Sequence, residues 1–567
     1  MNPLGSQADT HFWPSAEIAL LLTFVIGLLA LWKPTIGASA FGKIEEALSR
    51  FAERKKLAVC SMFFGVAAIR LAVLPLLPVP VPGIHDEFSY LLQADTFAHG
   101  RLANPTHPVW MSFETFHVNW FPTYSSMYPP AQGFVLAIGQ LLGNPWIGVL
   151  LSEAAMCAAI LWMLQAWMPA RWALLGGAIA ALNLGIASYW MNSYWGGGVA
   201  AAGGALVLGA LPRISRRASV GSALLLGLGI AILANSRPYE GLLFCVPAGV
   251  WIFWWLLGKI KSRDSLSSRI RMVLLPLSAC IVLTLAFIGY YNWRLTGNAV
   301  LMPHVLNTRT YHSSPLFLWE RAKPELEYNN QQFEEFYNGW EREDYKTTGK
   351  DARRVTAEKL ARMGVAFFWP GALFLLPALP FAVRDRRMRL PTVTMVVCLA
   401  GVFAVIWSEP HYAAPITCIV YVLAVQAVRH LRTTQWKRRP LGVALSRALV
   451  LLLVLETGIN VARRACDPMW WTCTGDVSRL TVMEKLLHLP GKHLIMVRYS
   501  GNHNIHDEWV YNGADIDGSK VIWARELDEE QNARLFAYFK DRHIWLVEPD
   551  VANTIIKPYT PPPHSDQ

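Results

Sequence analysis

Residues 273–291 form the apolar run VLLPLSACIVLTLAFIGYY, which contains no charged side chain. A helix of about 20 apolar residues crosses the roughly 30 Å hydrocarbon core of a bilayer. Similar runs occupy residues 16–32 and 392–407, and 53% of the whole chain is hydrophobic. This composition predicts several membrane-spanning helices rather than several soluble domains.

The basic residues indicate how these helices cross the membrane. The formal net charge is +11, but the Lys and Arg residues cluster in short segments between apolar runs instead of forming one basic face. This distribution argues against a nucleic-acid partner, and the positive-inside rule places the basic segments in the cytoplasm. The clusters are residues 33–56, 213–217, 259–271, 384–389 and 429–439.

The remaining segments are then expected to face outward. They are residues 80–145, 189–198, 236–241, 294–362, 408–411 and the chain from about 461. This alternation predicts about twelve helices with both termini outside, on the periplasmic side of a bacterial inner membrane. We expect the first run to be retained as a helix because no basic n-region precedes it.

Three domains are expected along the chain. Residues 1–56 would hold an extra N-terminal helix with an amphipathic cytoplasmic connection, residues 57–460 the main membrane domain, and residues 461–567 a soluble domain. The membrane domain includes the two longest outward segments, 80–145 and 294–362. Segments of this length exceed plain connections and are typical of functional loops.

The C-terminal domain has the pattern of a small α/β fold. Short strands are predicted at 493–499, 520–525 and 543–547, and a helix at 528–540 with Asp528 as its N-cap. The predicted fold class is therefore mainly α, a polytopic membrane helical bundle with large outer loops and a small C-terminal α/β domain.

Two of the eight cysteines, Cys466 and Cys473, lie just after the last apolar run, on the side predicted to be oxidising. We expect a local disulfide between them, and two free thiols are the alternative. The other six lie in apolar runs, where cysteine usually behaves as a small buried hydrophobe.

Two adjacent acids, Asp86 and Glu87, follow the second apolar run in the segment HDEFSY at 85–90. Carboxylates at a membrane boundary are costly unless water, a cation or hydrogen-bond donors stabilise them, which makes these two candidate functional groups. The structural alternative is that Asp86 caps a helix beginning near Phe88 while Glu87 favours its dipole. Position alone leaves both interpretations open.

The motif DExxY at 86–90, followed by Ala94 and by YPP at 128–130, resembles the first outer loop of GT-C superfamily glycosyltransferases. That superfamily includes the protein O-mannosyltransferases and the aminoarabinose transferases. The resemblance covers residues 57–430 and implies a polyprenyl-phosphate sugar as donor, with an acid of the first outer loop acting on the acceptor. Here the motif follows the second apolar run instead of the first, so the first is interpreted as an N-terminal addition.

Asp86 is the candidate general base, since transfer to a hydroxyl requires removal of its proton while the lipid phosphate departs. Glu87 would either raise the proton affinity of Asp86 by like-charge repulsion or share a divalent cation with it, and both remain open. No other cofactor is indicated. His85, Tyr90 and Tyr128 are expected to line the same site.

A departing lipid phosphate needs a cation, and Arg237 in the outward segment NSRPYE suits bidentate phosphate contact. An interfacial ion pair with Glu240 is its alternative role. The further candidate substrate-binding residues are Tyr239, Glu240, His304, Arg309, His411 and Tyr412. For His304 and Arg309, solvated loop charge is the competing interpretation.

Three outward patterns are expected to be structural. Asp515 and Asp517 have the spacing of a nucleotide-sugar metal motif, but the following Gly518 indicates a turn. The histidines and acids of 503–508 have no established ligand spacing and are expected to form a hydrated loop. The aromatic and glycine run 189–198 is expected to form an interfacial belt with a flexible turn.

The sequence therefore predicts a GT-C type glycosyltransferase that moves a sugar from a polyprenyl-phosphate donor to an acceptor hydroxyl at the outer membrane face. The acceptor could be a lipid, a glycan or a protein, and membrane lipids surround the helices. The alternatives are a flippase or transporter of a lipid-linked saccharide, and a polysaccharide ligase. Acids clustered at the outer face, rather than along a path through the membrane, favour the transferase.

Overall fold

The computed structural model describes residues 4–258, 265–368, 372–463, 477–551 and 556–560. The helices of the first half are α1 (Leu4–Trp32), α2 (Ala38–Ala52), α3 (Lys55–Ala72), α4 (His85–Ala98), α5 (Pro130–Leu141), α6 (Pro145–Trp167), α7 (Ala170–Leu184), α8 (Gly198–Arg216), α9 (Val220–Ser236), α10 (Pro238–Leu257), α11 (Leu266–Arg269) and α12 (Leu275–Thr296). Those of the second half are α13 (Pro303–Tyr311), α14 (Gln331–Phe333), α15 (Glu341–Lys350), α16 (Ala352–Phe368), α17 (Ala372–Leu375), α18 (Leu379–Arg384), α19 (Arg389–Ala404), α20 (Thr417–Leu431), α21 (Leu441–Ala462), α22 (Val477–His488) and α23 (Glu529–Tyr538). The strands are β1 (Val118–Asn119), β2 (Ser125–Ser126), β3 (Lys492–Val497), β4 (Val521–Arg525), β5 (Arg542–Val547) and β6 (Lys557–Pro558).

Seven helical segments in the described part of the chain are long and apolar enough to cross a membrane. They are Pro145–Trp167, Gly198–Arg216, Pro238–Leu257, Leu266–Thr296, Arg386–Ala404, Pro410–Leu431 and Leu441–Ala462. Shorter apolar helices lie at Glu17–Trp32, Ala170–Leu184 and Val220–Ser236. The chain is therefore an integral membrane protein, and the predicted mainly α polytopic fold is confirmed.

The chain folds into two compact units. The first, here called the membrane unit, comprises Met1–Val79, Trp146–Phe287 and Asp351–Trp470. The second, here called the loop unit, comprises Pro80–Pro145, Ile288–Lys350 and Trp471–Gln567. Most residues of the two long outward segments therefore belong to the same unit as the C-terminal domain. The sequence pattern had predicted these segments as part of the membrane domain.

Helix α20 forms the centre of the membrane unit. In the helical segment Pro410–Leu431, which ends with α20, 94% of the apolar stretch is buried, whereas only 11% is buried in Leu266–Thr296. Close helix packing in this unit depends on small residues: a Cβ atom on Gly229 of α9 would lie 2.8 Å from the carbonyl oxygen of Gly203 on α8. Glycine at this crossing lets the two backbones approach, as is common between membrane helices.

The C-terminal part of the loop unit contains a four-stranded sheet in the order β4-β3-β5-β6. Strand β3 pairs in parallel with β4 and β5, and β6 pairs antiparallel with β5. Helix α23 connects β4 to β5, and the Asp528 side chain caps it by accepting the Gln531 N–H at 2.8 Å. The predicted order of strand, strand, helix and strand is confirmed, as is the predicted N-cap.

Aromatic side chains of the first outward segment complete the core of this sheet. Phe113, Trp120 and Tyr124 are buried in one cluster with Leu494 of β3 and Ile522 of β4. A sheet must bury its apolar face against another layer to be stable, and this segment supplies part of that layer. Residues 80–145 and the C-terminal domain therefore share one hydrophobic core.

The predicted disulfide between Cys466 and Cys473 falls outside the described residues and stays a prediction. The six cysteines within the described ranges are free thiols.

Candidate functional site

Helix α4 begins at His85, with Ile84 as its N-cap residue. The Glu87 carboxylate folds back over this end, where its Oε2 accepts the backbone N–H of Gly83 at 2.8 Å and that of Ile84 at 3.3 Å. The bond to Ile84 is that of a capping box, in which the acid at the third helical position bonds the N-cap N–H. Glu87 is fully buried. The capping that the structural alternative assigned to Asp86 is therefore performed by Glu87.

The Asp86 carboxylate makes different contacts. Its Oδ1 accepts a hydrogen bond from the Tyr128 hydroxyl, and its Oδ2 lies 3.9 Å from His117 Nε2. Tyr90 stacks on Tyr128 with 4.3 Å between ring centroids, which restrains the phenol. The Asp86 side chain keeps 18% of its surface exposed. Asp86 is thus an oriented carboxylate that a ligand can reach, whereas Glu87 is enclosed.

Buried hydrogen bonds tie the segment that carries His117 and Tyr128 to α4. Ser89 Oγ donates to the His117 carbonyl oxygen at 2.7 Å and lies 2.7 Å from Ser126 Oγ on β2. Gln93 Nε2 donates to the Tyr128 carbonyl oxygen at 2.8 Å. His117 has a φ of 61°, a left-handed conformation that costs free energy for a residue with a Cβ atom. These contacts hold that conformation beside Asp86.

His85, His117 and His506 form a cluster near Asp86. The His85 ring stacks on Phe116 with 4.3 Å between centroids and lies 5.7 Å from the His117 ring and 6.0 Å from the His506 ring. Burial lowers the pKa of His85 well below its usual range, and the other two histidines lower it further. Burial also lowers the pKa values of His117 and His506 to about 4, against the opposing charge of Asp86. The three rings are therefore neutral near pH 7.

Sequence reasoning missed His117 and His506 as neighbours of Asp86. The expectation of a hydrated loop at 503–508 is wrong, because His503 and Glu508 are buried. His503 Nδ1 lies 2.8 Å from Asp550 Oδ1, which gives this histidine a structural partner. The sequence feature that could have indicated a buried polar cluster is the density of histidines and acids within these six residues, but the same composition also suits a solvated loop.

A buried ion pair between Glu508 and Arg525 anchors the loop that carries His506. Arg525 Nη1 donates to Gln332 Oε1 at 2.7 Å, and Nη2 donates to the backbone carbonyl oxygen of Glu114 at 3.4 Å. Buried charges are tolerated when such partners satisfy them. Arg525 therefore joins the C-terminal domain to both long outward segments within the loop unit.

In the described ranges, no group of three or more His, Cys, Asp or Glu side chains is placed to hold a metal ion. Glu87 Oε2 binds backbone N–H groups, so a cation shared by Asp86 and Glu87 does not fit this geometry. Asp515 Oδ1 accepts the Gly518 N–H at 2.9 Å, which confirms the interpretation of that motif as a turn.

The membrane unit gathers another group of predicted residues. Arg237 separates α9 from α10, and its guanidinium lies 4.4 Å from the ring centroid of Tyr412, within cation–π range. The adjacent His411 is buried, with its Nδ1 3.2 Å from the Tyr189 hydroxyl. Arg237 and Tyr412 thus meet at the break between two helices.

The other predicted residues of the membrane unit have structural contacts. Tyr239 donates its hydroxyl to the Gly401 carbonyl oxygen at 3.2 Å, and Glu240 is buried in the first turn of α10. The interfacial belt expected at 189–198 is wrong, because Tyr189 and Trp190 are each 1% exposed. Their rings pack inside the unit and are not available to face lipid.

His304 and Arg309 lie on α13 in the loop unit, where His304 is half-buried and Arg309 is exposed. Asn307 fixes this helix by donating to Asn119 Oδ1 at 3.1 Å. Exposure favours the interpretation of Arg309 as a solvated charge.

No protein-family model matches the sequence, and a comparison with curated proteins gives no match either. Similar solved structures include ArnT from Cupriavidus metallidurans in the apo state, with 12% identity, a TM-score of 0.47 and coverage of 86% of this chain and 93% of that one. ArnT bound to undecaprenyl phosphate has 13% identity, a TM-score of 0.47 and coverage of 87% and 93%. The Archaeoglobus fulgidus oligosaccharyltransferase tethered with an acceptor peptide has 12% identity and a TM-score of 0.41.

The match to this oligosaccharyltransferase covers 78% of the present chain and only 62% of the other.

Proposed function

We propose that the protein is a glycosyltransferase that moves a sugar from a polyprenyl-phosphate donor to an acceptor hydroxyl, with Asp86 as general base. The observation that supports this most is that two adjacent acids, Asp86 and Glu87, have different environments. Glu87 is enclosed and bonded to backbone N–H groups, whereas Asp86 is partly exposed and oriented by Tyr128. A base requires an accessible, fixed carboxylate of this kind.

The contacts of Asp86 leave Oδ2 as the proton acceptor. Oδ1 is occupied by the Tyr128 hydroxyl, whereas the one contact of Oδ2 among the described residues is the His117 ring nitrogen at 3.9 Å. In the proposed step, the acceptor hydroxyl gives its proton to Oδ2 as its oxygen forms a bond to the anomeric carbon of the donor sugar. The bond from that carbon to the phosphate oxygen breaks, and its electron pair leaves with the lipid phosphate.

Neutral His117 and His85 suit a site that binds hydroxyl groups. His85 Nε2 and His117 Nδ1 are buried and have no hydrogen-bond partner among the described residues. A neutral imidazole nitrogen can donate or accept according to its tautomer. Of the ring nitrogens, His117 Nε2 lies 3.9 Å from Asp86 Oδ2 and would orient a hydroxyl of the reacting sugars there. No step of this mechanism uses a metal ion.

Binding of the donor phosphate by Arg237 stays a prediction that rests on the contacts of this residue within its own unit. Its guanidinium lies against the Tyr412 ring at the start of α10, where the helix dipole also favours an anion. An Arg side chain can bind two phosphate oxygens at once. Roles for Tyr239, Glu240, His304, Arg309 and His411 in substrate binding stay predictions. The positive-inside pattern supports an orientation with both termini on the outer side of the membrane, and a bacterial inner-membrane location stays a prediction.

The proposal is tested by incubating the purified protein in lipid nanodiscs with a panel of polyprenyl-phosphate sugars and candidate acceptors. Glycosylated acceptor and released polyprenyl phosphate, formed in equal amounts, are the expected products. A protein that moves lipid-linked saccharide across a proteoliposome membrane and cleaves none of it would contradict the transferase and favour the flippase.

A further inference from the structure

The loop unit contains a cavity of about 200 Å³ between the first and second outward segments. Its lining combines aromatic rings with hydrogen-bonding groups. The aromatic rings include Trp110, Phe121 and Tyr328, and the hydrogen-bonding groups include Glu114, Tyr311 and Asn329. None of these residues belongs to the Asp86 site described above. The mixture of apolar faces and convergent polar groups is typical of a small-ligand site.

A buried carboxylate provides the polar part of the lining. Glu114 is 2% exposed, and its two oxygens accept hydrogen bonds at 3.0 Å from the Tyr311 hydroxyl and from Asn329 Nδ2 respectively. Burial raises the pKa of Glu114, and the bonds from Asn329 and Tyr311 oppose that shift. Each carboxylate oxygen can accept a second hydrogen bond, so Glu114 can also receive hydroxyl groups from a ligand.

Exposed aromatic surface provides the apolar part. Phe121 lies in the cavity wall and is 55% exposed. The Trp110 ring packs edge-on against the Phe121 ring, with 5.1 Å between ring centroids. Trp120 also lines the cavity and stacks on Tyr124 with 4.4 Å between ring centroids.

We propose that this cavity binds one pyranose ring of a saccharide acceptor. The C–H face of the ring would pack on Phe121 and Trp110, and its hydroxyls would donate to Glu114 and accept from Asn329. The volume lies below the roughly 300–1,000 Å³ of pockets for drug-sized ligands, which suits a single sugar ring. The binding of a saccharide follows from the cavity alone, and its assignment as acceptor rests on the proposed transferase function.

Packed rings connect the cavity wall to α4. Tyr311 of the wall packs on Phe333 at 5.4 Å, Phe333 packs on Phe116 at 4.5 Å, and Phe116 stacks on His85. All of these are side chains of the loop unit, and all but the histidine ring belong to one buried aromatic cluster. A saccharide held in the cavity would therefore be held by the same compact unit that carries Asp86.

The test measures binding of methyl glycosides of common hexoses and N-acetylhexosamines to the full-length protein, by saturation-transfer NMR in nanodiscs. At least one glycoside should bind, and Phe121→Ala should weaken its binding about tenfold, the loss expected for one stacking ring. Phe121 is exposed, so this variant should fold. Trp319→Ala is the matched control, because Trp319 is 68% exposed and stacks on Phe317 outside the cavity.

Each outcome decides a separate part of the inference. If no glycoside binds, or if Phe121→Ala and Trp319→Ala bind alike, the cavity is not a saccharide site. If a polyprenyl-phosphate sugar displaces the glycoside, the ring belongs to the donor and the acceptor assignment is wrong. Because binding is measured without turnover, failure of the transferase proposal leaves this result interpretable.

Discussion

Removing the Glu87 carboxylate should destabilise the start of α4 without acting directly on the chemistry. The two hydrogen bonds to Gly83 and Ile84, at 2.8 and 3.3 Å, are made by a fully buried acid. Hydrogen bonds to a charged group contribute about 1.5–3 kcal/mol each, and the longer one contributes less. We therefore expect Glu87→Ala to lower the local free energy of opening at residues 83–88 by about 2–4 kcal/mol.

Hydrogen–deuterium exchange measures this loss directly at the amides of Gly83 and Ile84. The matched control is Glu320→Ala, because Glu320 is an exposed acid of the same unit that accepts one backbone N–H, from Phe317 at 3.2 Å. This control should change local stability by less than about 0.5 kcal/mol. Unchanged exchange at Gly83 in Glu87→Ala, combined with loss of transfer, would refute the capping role and return Glu87 to the chemistry.

Three further predictions concern the surroundings of Asp86. Tyr128→Phe removes the hydroxyl that orients Asp86, so kcat for transfer should fall about tenfold with little change in melting temperature; an unchanged kcat would argue against this contact. Burial lowers the pKa of His506 from 6.5 to about 4, so the unfolded chain binds this proton at a higher pH than the folded chain does. The free energy of unfolding should therefore fall as the pH drops from about 6.5 to about 4. His506→Asn should reduce this fall in thermal melts, and the remainder is expected from His85 and His117, whose pKa values are also lowered. Arg525→Ala leaves Glu508 buried without this ion-pair partner and should lower the free energy of unfolding by about 3–5 kcal/mol. The double variant Arg525→Met with Glu508→Gln should recover a substantial part of that loss.

Local patterns predicted the elements whose stability depends on local physics. The apolar run 273–291 had to form a spanning helix because its length and composition fit only the bilayer core. The C-terminal strands and the Asp528 cap followed from alternation and from a favoured N-cap residue. These features require no knowledge of distant contacts.

Features that depend on distant contacts could not be predicted in this way. Nothing in the neighbourhood of Phe113 indicates that it packs with Leu494 of the C-terminal sheet. His506 stands in a polar segment whose composition suits solvent as well as a buried cluster, and its position beside His85 depends on the ion pair of Arg525. Similarly, the path of the chain before α4 decides that Glu87, and not Asp86, bonds the backbone N–H groups.

The role of Asp86 is the central claim, and the kcat of Asp86→Asn tests it most directly. The substitution keeps the shape of the side chain and removes the proton acceptor, so kcat for sugar transfer should fall about 10²–10⁴-fold while donor binding and melting temperature are retained. Asp515→Asn, which alters a turn acid of the same unit, should keep wild-type kcat. Transfer by Asp86→Asn at the rate of Asp515→Asn would contradict the account.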